Sequence, residues 1–494
     1  MLIALGIRSQ HNTRPPMTEC NTKTRSNFHP EKPVDFEFDV PQMTTDAGAV
    51  LLRQMDGDRG LCEMLAKLLP DEREQQKIEH TRLEQLRQRV FQIAMGWADQ
   101  NDADRLRDDP VWKTVVDRSP DDEELASQPT LSLFENAPGM RTNKRLMEEL
   151  EFEWMSRIDD DRDVVVLDVD SSGFEGHGQQ ELLEFCGFHG AHIHHPLFVL
   201  DAETNEVVTA LLRPGDVGDS RGVIGIVRRL IGRLKSIRPN LDVVVRGDAG
   251  FAQPRMYQAL ERLDRIWGGI GYLFGISKNS AFERKLEDAL ETSRRKFEAT
   301  GSTSRTYQWF EHRAQSWSKT RSILGKAEVG SQGDNPRFVV TNIDEFPPRL
   351  IYENAYCPRG EAENTVKSLK THLRADRLSC SSFEANFFRL LEHVIAHRIL
   401  TGLKRTCTEE AQRRRKVRRK RDQSSDHAPE DTDEQNVIDQ LARLGEAQLD
   451  TLRLLLLKIA AIVTESTRRI HVRMPQAFPM APAFHALTGR LDAP

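Results

Sequence analysis

The sequence predicts an α/β fold, because apolar strand-like runs and amphipathic helices follow one another between residues 163 and 277. Their order is three strands, a helix, a strand, a helix and a strand, as in an RNase H-like domain. Two of the runs are β-branched and end in an acid, which is typical of buried parallel strands. The predicted strands are 163–170, 196–201, 206–213, 241–248 and 271–277, and the predicted helices are 219–236 and 253–264.

Before this domain the pattern is helical. Residues 1–40 form a polar, proline-bearing lead for which we expect disorder, and residues 41–156 form a helical N-terminal domain. Its clearest helix spans 82–99, where Thr81 and Glu84 match a capping box. The other helices predicted there are 46–56, 60–69 and 143–156.

An insertion divides the RNase H-like domain. The first part spans 157–280, a mostly β insertion with Gly-containing loops spans 281–350, and the second part spans 351–404. A charged linker at 405–435 and a helical C-terminal region at 436–494 follow, with helices predicted at 383–404 and 437–467. The predicted fold class is therefore α/β, with an RNase H-like domain flanked by helical regions.

The composition indicates a soluble protein with a sizeable core: 494 residues, of which 38% are apolar and 30% charged. The net charge of −6 does not indicate a nucleic-acid binder, so such a surface would need local clustering. The six cysteines form no CxxC pair and no zinc pattern, which is typical of reduced cytosolic thiols. No run of 18 apolar residues occurs, so we expect no membrane-spanning helix.

Two predicted strands end in acids that are candidate metal ligands. Asp170 ends the run at 163–170, and Asp248 ends the run at 241–248. The first and fourth strands of an RNase H-like domain are neighbours, so these two acids should lie side by side. Asp168 competes with Asp170 because the two lie on one face of the strand. We prefer Asp170, which sits at the strand end before turn residues.

A third acid lies on a predicted helix. Tyr356, Arg359, Glu363 and Lys370 are spaced three, four and seven apart, so on a helix they fall within about 60° of one another. The apolar ridge beside them consists of Val366, Leu369 and Leu373. One interpretation is an acid flanked by cations that faces a groove; the other is an amphipathic surface helix with Glu to Lys pairs.

In combination these motifs resemble bacterial insertion-sequence transposases of the DDE class, in the group with the Tyr-Arg-Glu-Lys signature, and most closely insertion sequence family 1380. The resemblance covers about residue 40 to the end. The motifs are DVDSS at 168–172, RGDAGF at 246–251, HGQQE at 177–181, ALLRPGDVGDSRG at 210–222, NPRFVVTN at 335–342 and Tyr-x2-Arg-x3-Glu-x6-Lys from 356.

The resemblance implies a cut-and-paste transposase that binds inverted repeats, cleaves there and joins the ends to target DNA. Asp170, Asp248 and Glu363 would be catalytic and hold two Mg²⁺ ions, for which Mn²⁺ can substitute. Two divalent ions about 4 Å apart suit this chemistry because they serve both the attacking and the departing oxygen. We expect a homodimer on double-stranded DNA in the bacterial cytoplasm, at the nucleoid.

The resemblance also implies DNA contacts near the scissile bond. Tyr356, Arg359, Lys367 and Lys370 would bind phosphates of the transposon-end strand. Trp309 and Trp317 in the insertion are candidates for stacking on a base turned out of the duplex, with a core position as the alternative for each.

Two further basic surfaces are ambiguous. Arg82, Arg87 and Arg89 lie on one side of the predicted helix 82–99 and either face solvent or contact terminal-repeat DNA. The run 413–421 holds eight cations in nine positions, and either belongs to a flexible solvated linker or contacts the DNA backbone loosely.

Five histidines lie between the first two strands: His177, His189, His192, His194 and His195. No third ligand set follows zinc spacing, so we expect no zinc site, with His177 approaching the active site most closely. Two other functions stay open. One is another RNase H-like nuclease or integrase, and the other is a domesticated or inactive DNA-binding protein.

Overall fold

The computed structural model describes residues 24–37, 39–40, 42–424 and 432–492. Strands β1 (Thr24–Ser26) and β2 (Val34–Phe36) pair antiparallel. The expectation of disorder is therefore wrong for the described end of the lead, and residues 1–23 lie outside the described residues. The elements that follow are β3 (Met43–Thr44), α1 (Ala49–Arg59), α2 (Leu61–Ala66), α3 (Arg82–Met95), α4 (Ala103–Leu106), α5 (Pro110–Val115), α6 (Gln128–Glu135) and α7 (Met140–Ser156).

Helix α3 begins and ends where its sequence dictates. The Thr81 side chain accepts from the Glu84 N–H, and the Glu84 side chain accepts from the Thr81 N–H, so the predicted capping box is confirmed. The helix stops at Gly96, which takes the left-handed conformation with φ 92°. It is therefore shorter than the predicted span of 82–99.

The RNase H-like domain follows in the predicted order. Its elements are β4 (Val164–Ser171), β5 (Phe174–Glu175), β6 (Glu184–Cys186), β7 (Ala191–His194), β8 (Leu197–Asp201), β9 (Val207–Leu211), α8 (Val223–Ile237), β10 (Asp242–Gly247), α9 (Pro254–Trp267) and β11 (Ile270–Ile276). Strands β5, β7 and β6 form a small separate sheet inside the connection between β4 and β8.

The central sheet confirms the predicted fold class. Its strands lie in the order β9, β8, β4, β10, β11. Strand β4 is parallel to β10, which is parallel to β11, while β8 and β9 are antiparallel. The first and fourth strands of the domain, β4 and β10, are thus neighbours, as the sequence predicts.

The insertion extends this sheet rather than forming a separate unit. It contains α10 (Ser280–Thr300), β12 (Ser304–His312), β13 (Arg321–Gly330), β14 (Gly333–Asp334) and β15 (Arg337–Thr341). Strand β15 pairs antiparallel with β11, and β13 and β12 follow outward, which gives nine strands in all. Helix α10 covers one face, where Leu286 fills the space above Gly325.

The remainder is mostly helical. It comprises α11 (Pro348–Leu350), a π turn at Ile351–Tyr356, a 3₁₀ turn at Cys357–Arg359, α12 (Gly360–His372), α13 (Phe383–Ser424), α14 (Thr432–Glu446), α15 (Leu449–Leu452), a π turn at Arg453–Leu457, β16 (Ala461–Ser466), β17 (Arg469–Arg473) and α16 (Ala481–Leu491). None of the helices in the described ranges combines the length and apolar character that a membrane-spanning segment needs.

Two predictions for this region are wrong. The flexible linker expected from residue 405 is helical as far as Ser424, because α13 runs for 42 residues, about 63 Å. The predicted helix 437–467 ends much earlier, and its last part is strand β16, which pairs with β17 and with β3 near the N-terminus.

The N-terminal and C-terminal helical regions share one hydrophobic core around α13. The Ala47 N–H donates to the Ile459 carbonyl at 3.0 Å, and Gly48 lies directly against the backbone of Leu457. Buried Arg398 on α13 donates to the Val207 and Val208 carbonyls at 2.8 and 2.7 Å, which joins this core to the sheet edge.

Candidate active site

Asp170 and Asp248 lie at one edge of the central sheet. Val169 of β4 stands opposite Gly247 of β10, so the next residue of each parallel strand is one of the two acids. Adjacent strands lie about 4.8 Å apart, so the two side chains leave the sheet beside each other. The Gly250 N–H donates to Asp248 Oδ1 at 2.9 Å and orients that carboxylate.

Asp168, the alternative first ligand, is engaged in a buried ion pair. Arg246 of the neighbouring strand donates to both of its carboxylate oxygens, with Nη2–Oδ2 at 2.6 Å. The two side chains are 1% and 4% exposed. Arg246 Nη1 also donates to the Ala355 carbonyl at 2.6 Å, so the pair ties the sheet to the segment before Tyr356. This geometry favours Asp170 as the acid that faces the site.

The segment from Ile351 to His372 changes pitch before it becomes the α-helix that carries Glu363. Tyr356 ends the π turn, and α12 begins at Gly360. The four predicted side chains therefore do not all lie on one regular helix, as the spacing argument assumes. The apolar ridge is confirmed, since Val366, Leu369 and Leu373 are buried. Arg359 Nη1 lies 2.7 Å from Glu363 Oε1.

The three acids influence one another electrostatically. Burial raises the pKa of Asp170 to about 7, and the charges of Asp248 and Glu363 add to the rise. Burial also raises the pKa of Asp248, with Glu363 again contributing, while Arg359 opposes both rises. The three carboxylates therefore face a common space, with Arg359 as the nearby cation.

The donor set fits a hard divalent cation. Mg²⁺ and Mn²⁺ prefer carboxylate oxygens, and a bound cation would neutralise the charges that raise the pKa of Asp170. Within the described ranges, no three His, Cys, Asp or Glu side chains form a ready-made metal group. Glu363 instead pairs with Arg359 and is 55% exposed. Asp170, Asp248 and Glu363 could hold a cation once Glu363 leaves Arg359.

The candidate phosphate-binding side chains surround this edge. Lys370 Nζ donates to the Gly173 carbonyl at 3.0 Å and to Ser172 Oγ at 3.3 Å, so it holds the loop that follows Asp170. The Tyr356 hydroxyl lies against Gly275 of β11, where any larger side chain would collide with it. Lys367 is exposed on the outer side of α12.

The two tryptophans of the insertion differ in environment. Trp309 is half-buried, and its Nε1 donates to the Phe346 carbonyl at 3.1 Å. Trp317 is 6% exposed and packs edge-on against Tyr257, with ring centroids 5.7 Å apart. The expectation that Trp317 stacks on a DNA base is corrected, because a ring enclosed in the core presents no face to a base. Trp309 stays a candidate.

The arginine side of α3 is neither solvated nor open to DNA. Arg89 is fully buried and donates to Glu135 Oε1 at 2.7 Å. Arg87 is buried against Asp56 at 3.0 Å, and Arg82 donates to the Pro70 carbonyl at 3.0 Å. Both interpretations of this side are therefore wrong for Arg87 and Arg89, which are structural ion-pair residues.

The basic run lies on the last turns of α13. Arg413 and Arg414 each donate to Glu410 at 2.7 Å. The side chains that point away from α14 are exposed, and they pair with no acid in the described ranges. We call this set the outer basic face: Arg415, Lys416, Arg419 and Lys420.

Sequence reasoning missed Asp219 and His195. Asp219 lies in the loop after β9, accepts a hydrogen bond from Ser171 Oγ at 2.8 Å and lies 3.3 Å from His195 Nε2. The hydrogen bond with His195 lowers the pKa of Asp219 to about 2. His177, expected nearest the site, instead lines a separate cleft with Arg377. The signal for Asp219 was topological, because β9 ends at the same sheet edge as β4.

Comparison with known proteins agrees with this constellation. A solved cryo-EM structure of a piggyBac transposase synaptic complex with hairpin DNA is similar to the chain, at 10% identity and a TM-score of 0.43, covering 91% of this chain and 83% of that one. None of the curated proteins compared with the chain matches it. The family model described as transposase DDE domain group 1 matches residues 27–421. Since that match spans most of the chain, the protein belongs to the transposases with a DDE domain of group 1.

Proposed function

We propose that the protein is the cut-and-paste transposase of an insertion sequence. It binds the inverted repeats at the ends of its element, cleaves DNA strands there and joins the freed 3′ hydroxyls to target DNA. The observation that supports this most directly is the convergence of Asp170, Asp248 and Glu363 at one sheet edge, with Arg359 between the acids and solvent. Fold alone would not support it, because one fold hosts many activities.

The three carboxylates are the proposed ligands of divalent metal, Mg²⁺ or Mn²⁺. The chemistry that two such ions supply is activation of the attacking oxygen and stabilisation of the departing one. Asp170 has to give up its proton to become a ligand, and its pKa of about 7 allows this at neutral pH. Glu363 has to leave Arg359, to which it is bound at 2.7 Å.

Arg359 is the proposed exchange partner in that step. Its guanidinium can donate to phosphate oxygens in a fork, so a DNA phosphate can replace the Glu363 carboxylate. DNA binding would thereby release Glu363 toward Asp170 and Asp248. Lys370 keeps the loop after Asp170 in place through Gly173, and Tyr356 offers a hydroxyl donor at the opposite side.

We also propose that the chain belongs to the Tyr-Arg-Glu-Lys group, and within it to insertion sequence family 1380. The supporting feature is that the four signature residues occupy one continuous helical segment beside the strand-end acids. The proposal includes a homodimer on double-stranded DNA in the bacterial cytoplasm.

The test uses isosteric amide variants of each acid: Asp170→Asn, Asp248→Asn and Glu363→Gln. Single-strand nicking of a labelled duplex that carries the repeats flanking the gene is measured in Mg²⁺ or Mn²⁺. Each variant should fold, bind the duplex nearly as the wild type does, and nick at background level. Combined variants should be no worse than single ones, because the acids act as a unit.

Glu361→Gln is the matched control, since Glu361 lies exposed on the same helix and should not affect nicking. Robust nicking by Asp248→Asn or Glu363→Gln would overturn the mechanism. A second arm supplies pre-cleaved ends with a target plasmid. Cleavage without joining would identify a nuclease instead of a transposase.

A further inference from the structure

The loop between β9 and α8 places an additional carboxylate at the catalytic edge. Strand β8 is antiparallel to both β4 and β9, with Ser171 opposite Leu197 and Leu197 opposite Leu211. The chain therefore leaves β9 at the same edge at which it leaves β4 after Asp170. Asp219 lies in that loop, with 44% of its side chain exposed.

Asp219 contacts both strand ends that carry the proposed catalytic aspartates. Its Oδ1 accepts from Ser171 Oγ at 2.8 Å, and Ser171 directly follows Asp170. Its Oδ2 lies against Gly250, whose N–H donates to Asp248 at 2.9 Å. A Cβ at Gly250 would stand 2.5 Å from that oxygen, so the approach requires glycine.

Two buried cations hold Asp219 in this position. His195 is 6% exposed; its Nδ1 donates to the Val217 carbonyl at 3.0 Å, and its Nε2 faces Asp219 Oδ1 at 3.3 Å. Since both ring nitrogens face acceptors, the ring that satisfies both contacts carries a proton on each. Arg213 Nη1 donates to the Asp219 carbonyl at 2.6 Å and so fixes the loop backbone.

We propose that Asp219 is a positioning residue that clamps the two strand ends together. Asp170 and Asp248 carry like charges, so without a metal ion their repulsion pushes the ends of β4 and β10 apart. A carboxylate bonded to Ser171 and seated on Gly250 resists that separation. The ion pair with His195 supplies the clamp with its own counter-charge. The inference rests on the proposed function, because it assigns Asp219 a role at that site.

The clamp predicts an effect on metal binding as well as on rate. Asp219→Ala removes both contacts, and Ser171→Ala removes only the hydroxyl arm. Each should weaken Mn²⁺ binding by about 10- to 100-fold, the usual effect of losing a group that orients metal ligands. The binding is measured on the full chain without DNA, from the electron paramagnetic resonance signal of free Mn²⁺.

Nicking provides the second readout. High Mn²⁺ should restore most of the nicking rate of Asp219→Ala and Ser171→Ala, but should not restore Asp170→Asn. The double variant should bind Mn²⁺ no more weakly than Asp219→Ala, because both changes break one link. Asp216→Ala is the control, since Asp216 lies exposed in the same loop and should behave as the wild type does.

The outcomes separate the two proposals. If Glu363→Gln abolishes nicking but Asp219→Ala and Ser171→Ala bind Mn²⁺ as tightly as the wild type, the clamp is refuted and the transposase mechanism stands. If Asp219→Ala unfolds, Ser171→Ala decides, because it deletes only one oxygen atom. If the wild type neither binds Mn²⁺ nor nicks, the proposed function fails and the clamp fails with it.

Discussion

Asp168→Asn and Asp170→Asn should change stability in opposite directions, although both acids lie on one face of β4. Asp168 and Arg246 form a bidentate pair at 4% exposure or less. Burial raises the pKa of Asp168, while Arg246 opposes the rise and keeps the carboxylate ionised at pH 8. Removing that charge leaves Arg246 buried and uncompensated, which costs about 3–5 kcal/mol.

Asp170 has no such partner. The rise of its pKa from 3.8 to about 7 corresponds to at most about 4 kcal/mol against the charged form. Partial exposure reduces this to about 1–2 kcal/mol. The folded-state pKa lies above the unfolded value, so the penalty is fully present above pH 7 and absent below about pH 4. Asp170→Asn should therefore stabilise the metal-free protein by about 1–2 kcal/mol at pH 8 and have little effect near pH 4.

The assay is urea denaturation in chelator, followed by intrinsic fluorescence at several pH values, with nicking measured in parallel. Folded Asp168→Asn should retain substantial nicking, whereas Asp170→Asn should have none. Equal destabilisation by both substitutions would refute the reasoning. An active Asp170→Asn beside a stable but inactive Asp168→Asn would move the first ligand by two residues.

Three further predictions follow from the same contacts. Replacing the outer basic face by Gln should weaken binding to any duplex and flatten its salt dependence by about 0.9 per phosphate lost, as anisotropy titrations can measure; Arg413→Gln with Arg414→Gln, whose side chains already bind Glu410, is the control, and an unchanged slope would contradict the contact. Trp317→Ala should cost about 3–5 kcal/mol of stability, whereas Trp309→Ala should fold and nick but impair strand-end processing; misfolding of both would place both in the core. Mn²⁺ affinity should rise with pH until Asp170 is ionised, at about pH 7, and then level off; an affinity independent of pH would contradict the assigned ligand.

Local sequence determined the strands, the helix start and the strand-end acids. The β-branched runs that end at Asp170 and Asp248 require burial on both faces, and that requirement is a property of the residues themselves. The capping box at Thr81 needs only a side chain and the next turn of backbone. Such features hold in any tertiary setting that buries the apolar positions, so the RNase H-like order was predictable.

Charged residues were harder to interpret because their partners are distant in sequence. Arg89 finds Glu135 46 residues away, and Arg246 finds Asp168 78 residues away. A pattern of charges on one helix face looks the same whether that face meets solvent, DNA or a buried acid. The helical form of residues 405–424 likewise depends on the packing of α13 against α14, which the local charge run does not reveal.

Only the tertiary structure decided which side chains meet at the site. Strand β9 returns the chain to the edge where β4 ends, and this brings Asp219 to Ser171 across 48 positions of sequence. The C-terminal strand β16 pairs with β3 near the N-terminus, so both ends of the chain complete one core. These contacts depend on sheet order and chain direction, which arise when many weak apolar contacts are satisfied together, and no short stretch of residues encodes them.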